Sequence, residues 1–464
     1  MALVLAGSHA NPIDTLTAAL LSAIFARLPA DGRARAACVC RGWRELISDP
    51  ALWLRLDLSR EGGVSCYVDD AALHAASARA QGRLEALDVT GCVNVRQLAL
   101  HRAVVANSAT LLELRTLSFS FEVSIDFQFR LEEAEALLVA APALRVVEVD
   151  LDCGSGVVRR LLCRAPPFQP LLVQTLGLDW DEEDDLSQLF PAVMAEVRAH
   201  VTLKQLSLSC ATIPEGLGGR FVELTIDAAL ALRLTSLRLF SCGLTPVAVP
   251  ALARLLSSTT LMRLSIDNQT RGPIEPIVLL DAAAAALLAS ALRANCTLRE
   301  LELSNVRLWE DTSGAASIFG ALTGHASLRV IDITLNRVET EGEREVAGAL
   351  LGALVAANSS TLVDLGLSSC NLRDVGLRHL VAALPLNTHL RQLGLVHANL
   401  SAGFLEQQML PALRANTSLR QLYVRDWLGI GEPPADVAEV QRLLREATNL
   451  VEVRADPEAA AGSE

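Results

Sequence analysis

The 464-residue chain is 51% hydrophobic and 20% charged, enough apolar material to bury a large core and too much for intrinsic disorder. Forty Lys and Arg stand against 53 Asp and Glu, and the net charge of -13 excludes a sequence-independent nucleic-acid binder, which needs a dense phosphate-neutralising surface. The ten cysteines show none of the short paired spacings of a disulfide scaffold or zinc site, so free thiols in a reducing compartment are expected.

In chain order, the opening apolar run stops by Gly7 and has no basic flank, too short for a secretory signal, so export is not expected. Residues 12–52 are the first module. Leu16, Leu20, Leu21, Ile24, Phe25 and Leu28 recur at helical intervals and Pro29 breaks the run, which predicts an amphipathic helix. Asp31 can cap a second helix reaching Val39, and Trp43 to Ile47 gives a third before Asp49-Pro50 ends it. Three helices in about 40 residues sit near the limit of independent folding, so their apolar stripe needs a partner or the adjacent array to cover it.

From Trp53 to Leu450 the pattern L-x-x-L-x-L returns over thirteen intervals with a mean of about 30.5 residues, the signature of a repeat array. The clearest copies start at Leu298, Leu362, Leu390 and Leu419, and the alternation that ends each one predicts a short strand. Helical patterns lie between the strands: Asp281 can cap residues 282–294, and 346–357, 375–384 and 437–446 carry apolar residues at helical spacing. Helices ending at Asn295, Asn358, Asn387 and Asn416 suggest a left-handed asparagine as the stop signal, which accounts for the sequon-like triplets at Asn295 and Asn416 without any sugar. The greasiest stretch, 277–292, is broken by Asp281 and too short to span a membrane. The expected organisation is a helical module at 12–52, an array at 53–455 and a disordered tail at 456–464.

The array resembles a leucine-rich-repeat solenoid, nearest to the strand-and-helix subtype of ribonuclease inhibitor. That resemblance implies an α/β fold with a parallel sheet on the concave side and helices on the convex side, each unit burying one face against its neighbours. Cys92, Cys210, Cys242 and Cys370 fall just after their strands, one per repeat, and read as structural thiols rather than metal ligands. The first module, through Leu16 to Pro29, then Cys38-Val-Cys-Arg-Gly-Trp43 and Asp49-Pro-Ala-Leu-Trp53, resembles an F-box. Thr17 stands where F-boxes usually carry their first proline, and Gly32 where leucine is common. This second resemblance implies docking to the Skp adaptor of a cullin-based ubiquitin ligase through Leu16, Leu20, Leu21, Ile24, Phe25, Leu28 and Pro29, with Trp43 in the core. A plain helical cap on the open end of the array is the competing reading, and it would hide Leu20 and Phe25 against the first repeat.

Residues flanking the inward leucines should project from the concave sheet. Asp88, Glu148, Asp150, Asp179, Asp267, Glu300, Glu302, Asp332, Asp364 and Glu452 are acidic there, against Arg238, Arg263, Arg425 and Arg454. Ten against four favours a protein target with a basic segment, and Phe240 and Tyr423 are candidate anchors beside Gly177, Gly366 and Gly394. The same charges also suit ordinary solvated positions. The run Asp179 to Asp185 lacks the alternating ligands and central glycine of a calcium loop and reads as a solvated loop.

No H-E-x-x-H, Walker lysine or G-x-S-x-G is present, so no catalytic residue, cofactor or metal is assigned. Lys204 is the only lysine among the 40 basic residues, a shortage that fits a ligase subunit sparing itself but that a coding bias toward Arg and Ala accounts for more simply. The expectation is therefore a non-catalytic adaptor in the cytoplasm or nucleus that binds the Skp adaptor and cullin at one end and a protein substrate at the other, without nucleic acid or membrane. A free-standing binding protein of the ribonuclease-inhibitor type is the alternative. A small-GTPase regulator like the Ran activator is a third reading, disfavoured by the front module.

Overall fold

The computed structural model describes residues 16–28, 30–58, 68–89, 92, 94–115, 128–129, 140–141, 143–144, 146–148, 150–151, 174–180, 186–210, 218–268, 279–423 and 452–454. The helix expected at 437–446, the tail at 456–464, Pro29, Arg425 and residues 181–185 lie outside them. The chain divides at Leu178 and Asp179 into two compact units. Among the described residues no helix is long and apolar enough to cross a membrane.

The first unit opens with three helices, α1 (Ala18–Ala26), α2 (Ala30–Ala36) and α3 (Arg41–Ile47). Thr17 starts α1 by accepting the Leu20 N–H on its hydroxyl, so the residue that departs from the F-box proline does the work of an N-cap. Asp31, expected to cap the second helix, is instead its second residue. Cys40 caps α3 through its sulfur, which accepts the Trp43 N–H at 3.4 Å. Phe25 of α1 meets Trp43 of α3 edge-on, with ring centroids 5.1 Å apart, and closes the small core.

Trp53 ties this bundle to the first repeat. It is 1% exposed and its indole N–H donates to the Ile47 carbonyl at 2.7 Å. The Arg33 guanidinium of α2 lies 5.1 Å from the ring centroid, and that of Arg79, at the end of α4 (Asp70–Arg79), lies 4.5 Å from it. Strand β1 (Arg55–Asp57) then pairs in parallel with β2 (Ala86–Asp88), β2 with β3 (Glu113–Arg115), β3 with β5 (Val146–Glu148) and β5 with β7 (Thr175–Trp180). Helix α5 (Gln97–Ala106) packs beside α4. A two-stranded sheet joins β4 (Gln128–Phe129) to β6 (Asp150–Leu151).

Among the described residues the second unit has nine parallel strands in chain order. Its strands are β8 (Gln205–Cys210), β9 (Ser236–Phe240), β10 (Arg263–Asp267), β11 (Glu300–Ser304), β12 (Val330–Asp332), β13 (Asp364–Gly366), β14 (Gln392–Gly394), β15 (Gln421–Tyr423) and β16 (Glu452–Arg454). The strand-then-helix order confirms the α/β leucine-rich-repeat solenoid. Each repeat contributes its three pattern leucines or isoleucines to the interior: Leu298, Leu301 and Leu303, then Leu328, Ile331 and Ile333, then Leu362, Leu365 and Leu367 are all at most 5% exposed. Each such burial is worth about 2 kcal/mol. The backbone repeats with equal regularity. The Met262 carbonyl accepts from Arg299 N and Glu300 N, Arg299 from Arg329 N and Val330 N, Arg329 from Val363 N and Asp364 N, and Val363 from Arg391 N and Gln392 N, all at 2.7 to 3.1 Å.

Of the four asparagines expected to be left-handed, one is and three differ. Asn358 is left-handed, with φ 47°. Asn295, Asn387 and Asn416 are extended, and they are 7, 4 and 3% exposed. The amide N–H of each donates to a carbonyl of the preceding repeat, Leu256 at 2.6 Å, Val355 at 2.8 Å and Leu384 at 2.6 Å respectively. Their amide oxygens accept the two N–H groups that lead into the next strand, as at Thr297 and Leu298. They stop helices by stitching repeats together, not by backbone handedness, and no sugar is needed to explain them. His325 fills the same slot: its Nδ1 accepts from Ser327 N and Leu328 N, and its Nε2–H donates to the Leu292 carbonyl at 3.0 Å. After the strands, Cys92, Cys242 and Cys370 are buried and their thiols donate to Leu58, Leu208 and Ile333 carbonyls of the repeat before. Burial pushes the Cys370 thiol up to about 12, so it is inert at neutral pH.

The helices pack side by side. Asp281 caps Ala282–Ala294 by accepting the Ala284 N–H at 2.8 Å, as expected. The helix expected at 346–357 begins earlier, at Glu341–Ala356, because Thr340 and Glu343 form a capping box. It approaches Arg373–Ala383 so closely that a Cβ on Gly348 would lie 2.7 Å from the Gly376 carbonyl oxygen. Two stability outcomes follow, both measured by thermal or urea unfolding. Asn387→Ala is expected to cost about 1–3 kcal/mol by leaving buried backbone groups unpaired, whereas His325→Asn, which keeps the slot's donor and acceptor, is expected to cost less than about 1 kcal/mol.

Candidate functional site

Two surfaces carry the expected site residues, one in each unit. On α1, Leu20 is 49% and Ile24 41% exposed, four residues apart and therefore on one ridge. Leu16, Leu21 and Leu28 are half-buried at its flanks. Phe25 requires a correction. At 1% exposed and packed on Trp43 it belongs to the module's interior and offers nothing to a partner. A cap would have turned both Leu20 and Phe25 against the first repeat, but Leu20 faces outward and Phe25 is covered within its own bundle. Period 3.6 puts Leu21 and Phe25 on one stripe and Leu20 and Ile24 on its edge, and only the position of α3 decides which stripe is sealed.

In the second unit the strand register lines up the residues between the buried leucines. One row runs Arg263, Glu300, Val330, Asp364, Gln392 and Gln421, and the next runs Ser265, Glu302, Asp332, Gly366, Gly394 and Tyr423. Glu300, Glu302, Asp332 and Asp364 are all half-buried on adjacent strands, so the structure brings these four together. Arg263 pairs with Glu300 across β10 and β11, and Ser265 donates to Glu302 at 2.6 Å. Asp332 accepts from the Thr334 N–H and hydroxyl, and its carboxylate lies over Gly366, where a Cβ would approach to 2.6 Å. That glycine is required for close approach, not for backbone freedom.

Asp267 is a second correction. It is 5% exposed, and Ser209 and Ser304 in its row are 2 and 3% exposed, so these three positions are withdrawn from the surface while Phe240, in the same row, stays half-buried. Phe240 and Tyr423 are both half-buried but sit six strand positions apart, about 29 Å at a sheet spacing of ~4.8 Å, so they cannot anchor one short segment. Tyr423 donates its hydroxyl to Gln421 at 3.3 Å, and the Gln392 and Gln421 side-chain amides bond to each other, so the face turns neutral at β14 and β15.

Sequence reasoning counted charges without pairing them and so missed two features. The first is that Arg263 neutralises Glu300. The second, in the first unit, is a cavity of about 310 Å³ over β1 to β3, where Arg55 reaches across Ala86 and binds both Glu113 oxygens at 2.9 Å, with Asp57 and Asp88 alongside. The small residue on the middle strand, flanked in register by opposite charges, is the signal that could have found it.

The acidic cluster leaves a mark on Asp364. Partial burial, then repulsion from Asp332 and Glu300, raises its carboxyl from 3.8 to about 6. Between those values the folded chain holds a proton that the unfolded chain releases, so stability falls as pH rises through the window, and the deficit is complete above about 6. Asp364→Asn is expected to raise the melting temperature above pH 6 and to flatten its fall between pH 4 and 6, read by thermal melts across that range.

The family model described as F-box-like matches residues 19–59. "Ribonuclease inhibitor" from Sus scrofa is 28% identical over 233 residues, covering 50% of this chain and 47% of its own length. The chain thus spans about half the length of the curated relative it matches. The solved structure "Leiomodin-1 Actin-Binding Site 2 (ABS2)" covers 32% of this chain and 80% of its own at 15% identity, and its TM-score of 0.25 gives the likeness no weight. The chain is thus similar to F-box-like domains at its front and to a ribonuclease inhibitor over half of its length.

Proposed function

We propose that this chain is the substrate-recognition subunit of a Skp-cullin-F-box ubiquitin ligase, acting in the cytoplasm or nucleus. The F-box-like match over residues 19–59 carries the reading, joined to an α1 whose Leu20 and Ile24 stand outward from a core already closed by Phe25 and Trp43. Solvent-exposed leucine and isoleucine one turn apart are the anchors by which an amphipathic helix seats in an apolar groove. In this reading Leu20 and Ile24, with Leu16, Leu21 and Leu28 at the rim, meet the Skp adaptor, which links the chain to cullin. The chain does no bond chemistry itself. It raises the concentration of a target's lysines near a ubiquitin-charged enzyme, a gain of position.

For the target, the open face of β11 to β13 favours a segment bearing Lys or Arg. Glu302, Asp332 and Asp364 supply negative charge there, while Glu300 is already paired. The neutral glycine, glutamine and tyrosine surface of β14 and β15 gives the rest of the segment a floor. Above pH 6 Asp364 is charged and attraction is complete, so capture of a basic segment strengthens as pH rises through that value. The match to a ribonuclease inhibitor supports the second reading, a free-standing binding protein.

Two experiments test these assignments. Leu20→Glu with Ile24→Glu is expected to weaken purified Skp adaptor binding at least about tenfold while leaving the melting temperature within a few degrees, because both side chains are exposed before docking. Unchanged binding rejects the docking surface and favours the second reading. Reversing Glu302 and Asp332 to Arg is expected to abolish capture of the chain's own target with adaptor binding intact, and retained capture sinks the charge-based account of recognition.

A further inference from the structure

We infer that Lys204 is the one amine-bearing side chain of these 464 residues to which ubiquitin can be joined through an amide bond, and that carrying arginine rather than lysine elsewhere directs transfer away from the receptor and onto its cargo. The inference rests on the ligase reading above. A polypeptide held in such an assembly is exposed to the charged enzyme at the same high effective concentration as its cargo, so what protects it must be its chemistry. Transfer needs a neutral amine: Lys Nζ, having lost its proton to solvent, attacks the carbonyl carbon of the thioester joining ubiquitin's C-terminus to the conjugating enzyme's cysteine. A C–N bond forms, the nitrogen gives up a second proton to solvent, the C–S bond breaks, and the sulfur leaves as thiolate. Arginine cannot take this role, because its guanidinium stays protonated and its lone pairs are delocalised. Of the 40 basic residues only Lys204 qualifies.

The structure makes that residue available. Lys204 directly precedes β8 and is exposed. Its carbonyl is fixed by the Thr235 and Ser236 N–H groups at 2.8 and 3.2 Å and by the Thr235 hydroxyl at 3.2 Å, so the backbone is held while the side chain stays in solvent. At the matching step of later repeats, Arg299, Arg329, Arg391 and Arg420 are likewise exposed and fixed by the same carbonyl ladder. Five sites of one geometry therefore carry cations, and one of them carries an amine.

The test reconstitutes the full chain with Skp adaptor, cullin, charged conjugating enzyme and a ubiquitin whose own lysines are replaced, so that each attachment counts once. Attached ubiquitin is located by peptide mass spectrometry. Conjugation on the wild-type side chains is expected at Lys204 alone, and Lys204→Arg is expected to reduce it at least about tenfold with adaptor binding unchanged. Adding Arg391→Lys to that variant is expected to restore a single attachment at position 391. Side-chain conjugation that persists in Lys204→Arg, or an assembled complex in which Lys204 is never modified, overturns this inference and leaves adaptor docking standing. Failure of the wild-type chain to bind the adaptor overturns both.

Discussion

Each repeat of this protein completes its hydrogen bonds only with the help of its neighbour. A carbonyl just before one strand takes two N–H groups from the next repeat, and Asn295, His325, Asn387 and Asn416 span the junctions with one donor and one acceptor each. Buried peptide groups left without such partners would cost more than the apolar contacts of a single short repeat return, so no repeat is stable alone. This constraint fixes the register of the sheet. Once the leucines of adjacent repeats are locked at the same height, the residues between them are forced into straight rows, and the character of the open face follows from what those rows contain.

The rows explain why charges that are scattered in the sequence interact in space. Residues about thirty positions apart become cross-strand neighbours: Arg263 meets Glu300, Asp332 lies over Gly366, and Asp364 feels both Asp332 and Glu300. The cost is visible in Asp364, whose carboxyl holds its proton to about 6. Charges kept close together against mutual repulsion are destabilising by themselves and are relieved by any ligand that brings opposite charge. The fold and the proposed recognition of a basic segment are thus linked through one interaction.

Within the first unit the same economy of contacts shapes the helical module. Trp53 is both the first apolar residue of the array and the wall against which Arg33 of α2 and Arg79 of α4 lie. A three-helix bundle of this size has too little core to stand alone, and within the first unit it borrows that tryptophan. With Phe25 committed to Trp43 and Ile47 buried at 2%, the ridge of Leu20 and Ile24 is left over, apolar and outward.

Much of this was legible in the sequence by itself. The period near thirty and the L-x-x-L-x-L spacing determined the parallel strand-and-helix repeat, because a pattern of buried residues repeated at fixed length admits one stacking solution. The helix at Asp281 and the structural role of Cys92, Cys242 and Cys370 were equally readable, the first from capping chemistry and the second from one unpaired thiol per repeat. Only the tertiary structure decided the rest. Whether Leu20 or Phe25 faces a partner depends on where α3 packs, whether Asp267 is presented depends on how its row is covered, and whether asparagine ends a helix by handedness or by hydrogen bonding depends on which carbonyl the preceding repeat supplies. Each is a property of two segments far apart along the chain, and local periodicity carries no information about that distance until the register is set.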